Sequence, residues 1–249
     1  WQHMSQELIN GDAADVLNRK TLARAKNQLH QLGALCAQDN ASLELLSGTH
    51  DAGVAERRHV AMLGGRVLVM HGDAVHPSIS PWARHADVLR QVYLAELNRL
   101  HGVQRQDLTS VLAAAEQAAL SEREIPMEPV RTGSLDAIFR PKRWLRMASY
   151  WKAMPELVDR FVQRHQPESQ FVIVGHSHRQ GVWKVGDRVI VNLGAFVSPG
   201  KPWAVVLTPR ELAVHPIRKS GGCFQLSPRA ARRFALASAE AASVDRDAA

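Results

Sequence analysis

Cysteine and long apolar runs are both scarce in this 249-residue sequence, and each scarcity argues against a class of protein. The two cysteines, Cys36 and Cys223, have neither the paired spacing of a zinc site nor the pattern of a disulfide framework. No apolar run is long enough to span a bilayer, and no signal peptide opens the sequence as printed. We therefore expect a cytoplasmic protein in a reducing compartment, with the inner face of the membrane as one option.

Acidic residues are outnumbered by basic ones, and this imbalance favours anionic partners. The chain has 31 lysines and arginines against 24 aspartates and glutamates, which gives a formal net charge of +7. Phosphates, nucleic acid and an acidic membrane surface are all compatible with that charge. Because the sequence has no recognisable nucleic-acid-binding module or base-stacking motif, we expect no specific nucleic acid as a partner.

Short apolar segments rich in Val, Leu and Ile predict the strands of an α/β fold. They lie at 42–47, 66–71, 171–175, 188–192, 203–208 and 211–215, with a candidate strand end at 7–10. A helical pattern at about 13–37 precedes the first of them, which predicts a βαβ unit near the start. The length suits one main domain at 1–220. The Ala-rich and basic, then acidic, stretch 221–249 predicts a C-terminal tail or surface helix.

Residues 82–166 differ from the rest of the chain because they show helical periodicity. The segment "ADVLRQVYLAELNRL" places apolar side chains on one helical face: Val88, Leu89, Val92, Tyr93, Leu97 and Leu100. The segment "LTSVLAAAEQAAL" predicts a second helix, and 142–165 predicts one or two more, interrupted near Pro155. We expect this insert to form a helical cap, and the alternative is an ordinary packing layer.

Histidine and aspartate follow several predicted strands at the point where each strand ends. The segments "LELLSGTHD", "RVLVMHGD" and "FVIVGHSH" run from apolar residues through small ones into His50, Asp51, His71, Asp73, His176 and His178. Ligands of α/β sheets collect beyond such strand ends, and glycine lets the backbone bend sharply there. Imidazole nitrogens and carboxylate oxygens together suit Mn²⁺, Fe²⁺, Zn²⁺ or Co²⁺. The sequence therefore predicts a metal site.

These segments resemble, in order, the motifs of the calcineurin-like metallophosphoesterases. The family pattern is D-x-H, then G-D-x-x-D, G-N-H-[DE], a His often followed by Gly-Asp, and G-H-x-H. The matching blocks here are "LINGDAAD", "LLSGTHD", "VLVMHGD" and "VIVGHSH", followed by "VNLGAF". The resemblance spans roughly 7–200 and leaves the insert unmatched. It implies a sandwich of two mixed β-sheets flanked by helices, and metal-dependent hydrolysis of a phosphate ester or anhydride.

The resemblance also implies a role for each matched residue. Asp12 would bridge two metal ions, and His50 would be the general acid or transition-state stabiliser, oriented by Asp51. Asp15 and Asp73 would support their loops. The implied metal ligands are Asp12, Thr49, His71, His176 and His178. Two divalent cations, Mn²⁺, Fe²⁺ or Zn²⁺, would neutralise the phosphate and activate a bridging hydroxide.

Two departures from the family pattern lead to further expectations. Thr49 stands where the family has Asn, and its hydroxyl is a poorer metal ligand, so we expect weaker binding of the second metal. The D-x-H element is not found, and "WQH" at 1–3 is too close to Asp12 to replace it. We interpret this as a truncated start, and the alternative is a degenerate protein with one metal or none. We therefore expect this chain to be poorly stable or inactive, and a version extended upstream to be neither.

A basic stretch of the insert gives the clues to the substrate. Its cations and aromatic residues are Arg131, Arg140, Lys142, Arg143, Trp144, Arg146, Tyr150, Trp151 and Lys152. We expect a phosphorylated small molecule, a nucleotide or a lipid-linked substrate there. The candidate binding residues are Arg140, Lys142, Arg143 and Arg146. A basic amphipathic helix is also typical of peripheral membrane contact, and the alternative is a solvated face with buried Trp.

Two classes of function remain open from the sequence. The leading interpretation is a hydrolase, which the joint presence of His50, His71, His176, His178 and Asp12 favours. The rival is a binding or scaffold protein of the same fold that has lost its metal chemistry, which Thr49 and the missing D-x-H favour.

Overall fold

The chain forms a mixed α/β fold with two sheets. The computed structural model describes residues 12–49, 52, 55–123, 141–197 and 200–236. The helices are α1 (Asp12–Gln38), α2 (Ala86–Arg99), α3 (Leu108–Arg123) and α4 (Pro141–His165), with a 3₁₀ turn at Gly102–Arg105. The strands are β1 (His59–Met62), β2 (Val67–Met70), β3 (Phe171–Val174), β4 (Gly181–Val185), β5 (Arg188–Asn192), β6 (Trp203–Leu207), β7 (Glu211–Ser220), β8 (Cys223–Leu226) and β9 (Arg232–Ala235).

The first sheet is mixed and has the strand order β1-β2-β3-β5-β4. Its three inner strands, β2, β3 and β5, run parallel, and the edge strands β1 and β4 are antiparallel to their neighbours. All residues of β3 and β5 are buried, as the Val and Ile runs predict. Parallel neighbours need a long crossover, and the connection from β2 to β3 contains helices α2, α3 and α4.

The second sheet contains β6, β7 and β8, with β9 also paired to β7, and each of these pairings is antiparallel. The expectation of two mixed sheets therefore holds for the first sheet only. Tight turns explain the difference: Gly221 and Gly222 both have positive φ, which suits a two-residue hairpin between antiparallel strands. The predicted surface helix at 221–249 is wrong over β8 and β9, and residues 237–249 lie outside the described residues.

The core lies on both faces of the first sheet, because side chains alternate along each strand. Leu68, Val172 and Ile190 face the helices and pack with Leu89, Leu112, Met154 and Val158. The opposite face packs on the second sheet through Val67, Ile173, Val191, Leu212 and Val214. Helices α2–α4 thus form a packing layer, which was the alternative to a cap. A covering role at the site stays a prediction.

Two details of the predicted helices are wrong. Val88 is 37% exposed and does not share the buried face of Leu89 and Tyr93 in α2. Helix α4 runs unbroken through Pro155, where we expected an interruption. Met154 and Val158 are buried on either side of that proline, so core packing offsets the hydrogen bond that it cannot donate.

The region before β1 also departs from expectation. The helix predicted at 13–37 is confirmed as α1. The segment 42–47 is not a strand, and it pairs with no strand among the described residues. The edge position beside β2 is taken by β1, a short, half-buried hairpin strand that the sequence did not predict. The strand–helix–strand start is therefore not observed, and 7–10 lies outside the described part. None of the helices described has the length and apolar character that crossing a bilayer requires.

Candidate functional site

The carboxyl ends of β2 and β3 lie side by side and carry the predicted histidines. His71 follows β2, and Gly175 and His176 follow β3. The backbone N–H of Gly175 donates a hydrogen bond of 3.0 Å to the carbonyl oxygen of His71, which holds the two loops in register. Two segments that are far apart in the sequence therefore meet at the edge where parallel sheets bind ligands.

The backbone of both loops is in an unusual conformation. Gly72 has a φ of 98°, and a Cβ atom there would lie 3.1 Å from Cβ of Val174, so the turn requires glycine. His176 and His178 have φ values of 60° and 57° without being glycine. Each such residue costs roughly 1–2 kcal/mol, and strain of this kind is concentrated at functional sites.

The rings of His71 and His176 are in direct contact. Their centroids are 4.9 Å apart in an edge-to-face arrangement, and His176 is almost fully buried. Nε2 of His176 lies 2.9 Å from the carbonyl oxygen of Ile79. A carbonyl can only accept, so Nε2 carries the proton and Nδ1 is the acceptor nitrogen of the neutral ring. A hydrogen bond from one ring nitrogen to a carbonyl is typical of histidines that bind metal through the other.

Asp73 is buried, and its carboxylate contacts both the loop after β2 and the loop that carries Thr49. Its Oδ2 accepts a hydrogen bond of 2.8 Å from the Thr49 hydroxyl and lies 3.1 Å from Nδ1 of His71. Burial raises the pKa of Asp73, but His71, His176 and Thr49 together outweigh it and hold the pKa well below its usual range. The carboxylate is therefore ionised at neutral pH and orients His71. The sequence predicts only a loop-supporting role for Asp73, because its burial cannot be read from the sequence.

The loop that carries the "SGTHD" segment packs directly on this pair. A Cβ atom at Gly48 would lie 2.5 Å from Cγ of His71, so only glycine allows the loop to approach so closely. Thr49, the next residue, is buried, and its hydroxyl is the group that donates a hydrogen bond to Asp73. The neighbouring His50 and Asp51 lie outside the described residues.

Glu116 of α3 anchors the same loop from the helical side. It is 7% exposed and accepts hydrogen bonds from the Ser47 hydroxyl and from the guanidinium of Arg58, with Nε of Arg58 at 2.6 Å. Ser47 also donates its N–H to the carbonyl of Arg57. Both ends of the loop are therefore tied to α3 through one buried carboxylate.

Asn192 fixes the loop after β3 and was not singled out from the sequence. It is fully buried, and its Nδ2 donates to the carbonyl of Gly175 at 2.6 Å and to Oγ of Ser177 at 2.9 Å. Trp151 of α4 donates from Nε1 to the carbonyl of Ser177 at 2.9 Å. The side chains that hold the "GHSH" loop thus come from β5 and from the helical layer.

Aromatic side chains border the buried histidine. The ring centroids of Trp82 and Tyr150 lie 5.0 and 6.3 Å from that of His176. Burial, with a smaller effect of the Asp73 charge, raises the pKa of the Tyr150 hydroxyl, which therefore stays protonated. Tyr150 also lines a hollow of about 400 Å³ together with His76 and Arg146. An anion in this hollow would face the exposed guanidinium of Arg146 and also Asp87, which lines the same hollow.

The structure brings together some of the predicted site residues and leaves others outside. Thr49, His71 and His176 meet around Asp73. The residue His178 is exposed overall. Partial desolvation of its ring lowers its pKa, and repulsion from His71 lowers the pKa further by a smaller amount. Arg146 is exposed on α4. Arg140 lies outside the described residues, and so do the side chains of Asp12, Lys142 and Arg143.

The donors fit a divalent cation in chemistry but do not form a complete described site. Two imidazoles and one ionised carboxylate suit Mn²⁺, Fe²⁺ or Zn²⁺. Within the part of the chain that the structure describes, no group of three His, Cys, Asp or Glu side chains is placed to hold a metal ion. The predicted Asp12 carboxylate and the His50 ring are not among those side chains.

Comparison with solved structures shows a weak likeness of the chain to several proteins. No family model and no curated protein matches the chain. Vacuolar protein sorting 29 of Cryptosporidium parvum is 15% identical over 33% of this chain and 45% of its own, with a TM-score of 0.26. A predicted phosphoesterase of Streptococcus pneumoniae is 16% identical over 32% and 47%, with a TM-score of 0.25. Zinc-bound vacuolar protein sorting 29 of Entamoeba histolytica is 18% identical over 32% of this chain and 46% of its own, with a TM-score of 0.23.

These matches cover less than half the length of each of those proteins. Likeness at this level does not establish a shared fold or a shared function.

Proposed function

We propose that this protein is a metal-dependent hydrolase of phosphate esters or anhydrides, with a dinuclear site of the calcineurin-like kind. The contact between His71 and His176 around the ionised Asp73 is the observation that supports it most. Two imidazoles and a low-pKa carboxylate at the ends of parallel strands are expected at a catalytic site and uncommon in a structural core.

The proposed ligands are His71, His176 and His178, with Thr49 and Asp12. Oδ2 of Asp73 lies 3.1 Å from Nδ1 of His71, which favours the proton on Nδ1 and leaves Nε2 as the acceptor nitrogen of that ring. His176 is fixed in the opposite tautomer by Ile79. The lowered pKa of His178 favours its neutral form, which is the form that binds metal. Bound divalent ions would neutralise the phosphate and lower the pKa of water.

The remaining roles concern protons and substrate charge. His50, with Asp51 orienting it, would donate a proton to the leaving oxygen of the substrate. Arg146 would bind a phosphate in the hollow beside Tyr150, together with the predicted Arg140, Lys142 and Arg143. The substrate class is a phosphorylated small molecule, a nucleotide or a lipid-linked phosphate, with the helical layer as its cover.

The His50→Ala and His176→Ala variants test these roles. His50→Ala should retain bound metal and lose turnover of bis-p-nitrophenyl phosphate by about 10²–10⁴-fold, because it removes only the acid. His176→Ala should lose metal and turnover together. Bound metal is measured by elemental analysis of the full-length protein grown with Mn²⁺. Loss of metal in His50→Ala, or full metal content in His176→Ala, would show that the roles are wrongly assigned.

A binding or scaffold protein without metal chemistry is the second candidate. The observation that favours it is the Thr49 hydroxyl, which donates to Asp73 at the position where the family has a metal-binding amide. In that case the full-length protein would contain no stoichiometric metal and would have no phosphodiesterase activity.

A further inference from the structure

Strand β8 and the loop after β5 together expose apolar side chains. Phe196, Val197, Phe224 and Leu226 are 61%, 40%, 54% and 47% exposed. The ring centroids of Phe196 and Phe224 are 4.9 Å apart, so the two exposed rings form one unit. We call these four residues the Phe196–Phe224 surface. A cluster of large, solvent-exposed apolar side chains marks an interaction site, whereas isolated exposed ones do not.

The register of the β7–β8 hairpin places a cation on the same face. Phe224 and Leu226 are two residues apart on β8 and therefore point to the same side. Lys219 lies directly opposite Phe224, and Ile217 lies opposite Leu226, so both share that side. The hairpin thus presents aromatic and aliphatic side chains beside an exposed ammonium group.

The charge of the surrounding segment is strongly one-sided. Between residues 193 and 236 the cations are Lys201, Arg210, Arg218, Lys219, Arg229, Arg232 and Arg233. Glu211 is the one acidic residue of that segment, and it is paired with Arg233. Arg218 and Lys219 lie on β7 near its turn into β8, whereas Arg210, Arg232 and Arg233 lie toward the other end of β7. An anionic surface at the hairpin would therefore meet Lys219 beside Phe224.

The Phe196–Phe224 surface borders the proposed site. Phe196 lies in the loop that follows β5, and Gly200 of the same loop is enclosed by backbone carbonyls. A Cβ atom at Gly200 would lie 3.0 Å from the carbonyl oxygens of Ala195 and His178. The loop that exposes Phe196 is therefore packed on the loop that exposes His178.

We propose that the Phe196–Phe224 surface docks the protein on an anionic membrane, with its apolar side chains at the headgroup boundary. Membrane binding of this kind combines buried apolar area with attraction to anionic lipids. A single-stranded nucleic acid also favours cations and aromatic rings, but it needs open ring faces on which bases stack. Here the rings meet edge to face and have aliphatic neighbours, which favours the membrane. This inference goes beyond the proposed hydrolase and does not require turnover.

Vesicle sedimentation with matched variants tests the proposal. Vesicles of phosphatidylcholine and phosphatidylglycerol in equal parts are compared with phosphatidylcholine alone, using the full-length protein at low salt. Phe196→Ser with Phe224→Ser should lower the partition coefficient about tenfold, since both rings leave the interface. Lys219→Gln keeps both rings and should lower it about fivefold. The control pair, Trp144→Ser with Leu145→Ser, changes side chains that are 54% and 68% exposed at the start of α4, and it should have no effect.

Several results would overturn the proposal. One is an absence of binding to the anionic vesicles at low salt, and another is loss of binding in the α4 control pair but not in the phenylalanine pair. A third is a wild-type dimer that the phenylalanine pair dissociates, which would assign the surface to a second copy. A fourth is binding to a single-stranded oligonucleotide that depends on the rings while vesicle binding does not. None of these experiments measures metal content or hydrolysis. A failure of the membrane proposal is therefore distinguishable from a failure of the proposed function.

Discussion

Asp73→Asn is expected to lower metal affinity by about 10–100-fold and to abolish most of the turnover of the full-length protein, because Asp73 orients the ring of His71. The amide keeps the size of the carboxylate but removes the negative charge, and an NH₂ group, which donates hydrogen bonds, replaces one of the two acceptor oxygens. Thr49 and His71 both contact Oδ2 of Asp73, and Oδ1 accepts a hydrogen bond of 2.9 Å from the backbone N–H of Ala74. In the amide, one of these two positions becomes an NH₂ group that faces a donor. Nδ1 of His71 would also lose the negative charge that it faces.

The same variant should also unfold more easily at neutral pH, by roughly 2–3 kcal/mol, because the buried hydrogen bonds of Asp73 involve a charged group. The folded-state pKa of Asp73 lies below that of the unfolded chain. Its stabilising contribution is therefore present above the unfolded pKa and is lost as the pH falls below about 4. The difference in the free energy of unfolding between wild type and Asp73→Asn should shrink over that range.

Metal titration and urea unfolding at several pH values measure both effects. The matched control is Asp187→Asn, which changes an exposed aspartate in the turn between β4 and β5 and should leave both quantities unchanged. Wild-type metal affinity in Asp73→Asn, or a difference in unfolding free energy that grows on acidification, would contradict the role assigned to Asp73.

Glu116→Gln is expected to lower the free energy of unfolding by roughly 3 kcal/mol. The Arg58 guanidinium, which is already largely buried, loses its counter-charge in this variant. The amide can still accept one hydrogen bond, from either Ser47 or Arg58. The expected loss is therefore mainly electrostatic. The loop between Ser47 and Arg58 should also become more mobile, which hydrogen exchange at the Ser47 amide would report.

Urea unfolding of a double-mutant cycle with Arg58→Gln isolates the pair. The double variant should be more stable than the sum of the single losses predicts, because it leaves no buried charge unpaired. The control is Glu96→Gln, which removes a surface pair with Arg99 and should change stability by about 0.5 kcal/mol at most. Equal losses for Glu116→Gln and Glu96→Gln would mean that Glu116 does not anchor the loop.

The inner strands of the first sheet and the proximity of His71 and His176 follow from the sequence pattern, and the role of these histidines as ligands stays a prediction. Strands β2, β3 and β5 are continuous apolar runs because they are buried on both faces, and that pattern is local. His71 and His176 follow such strands directly, so their meeting could be inferred from the topology of parallel sheets.

The parts that the sequence did not predict depend on contacts between distant residues. Residues 42–47 have a strand-like pattern, yet the place beside β2 is filled by β1 through a local hairpin. Glu116 shows no sequence signal, and Asn192 stands in the "VNLGAF" segment without a role that the sequence specifies, because both roles exist only after α3 and β5 have packed against the site loops. The hairpin β7–β8 did have a signal, the Gly221–Gly222 turn, which the Ala-rich residues after it obscured.

The most direct test of a metal site at the ends of β2 and β3 is the anomalous diffraction from crystals of the full-length protein grown with Mn²⁺. We predict a peak within coordination distance, roughly 2.2 Å, of Nδ1 of His176 and a peak at the same distance from Nε2 of His71. A crystal saturated with Mn²⁺ that shows no anomalous density near either ring would contradict it.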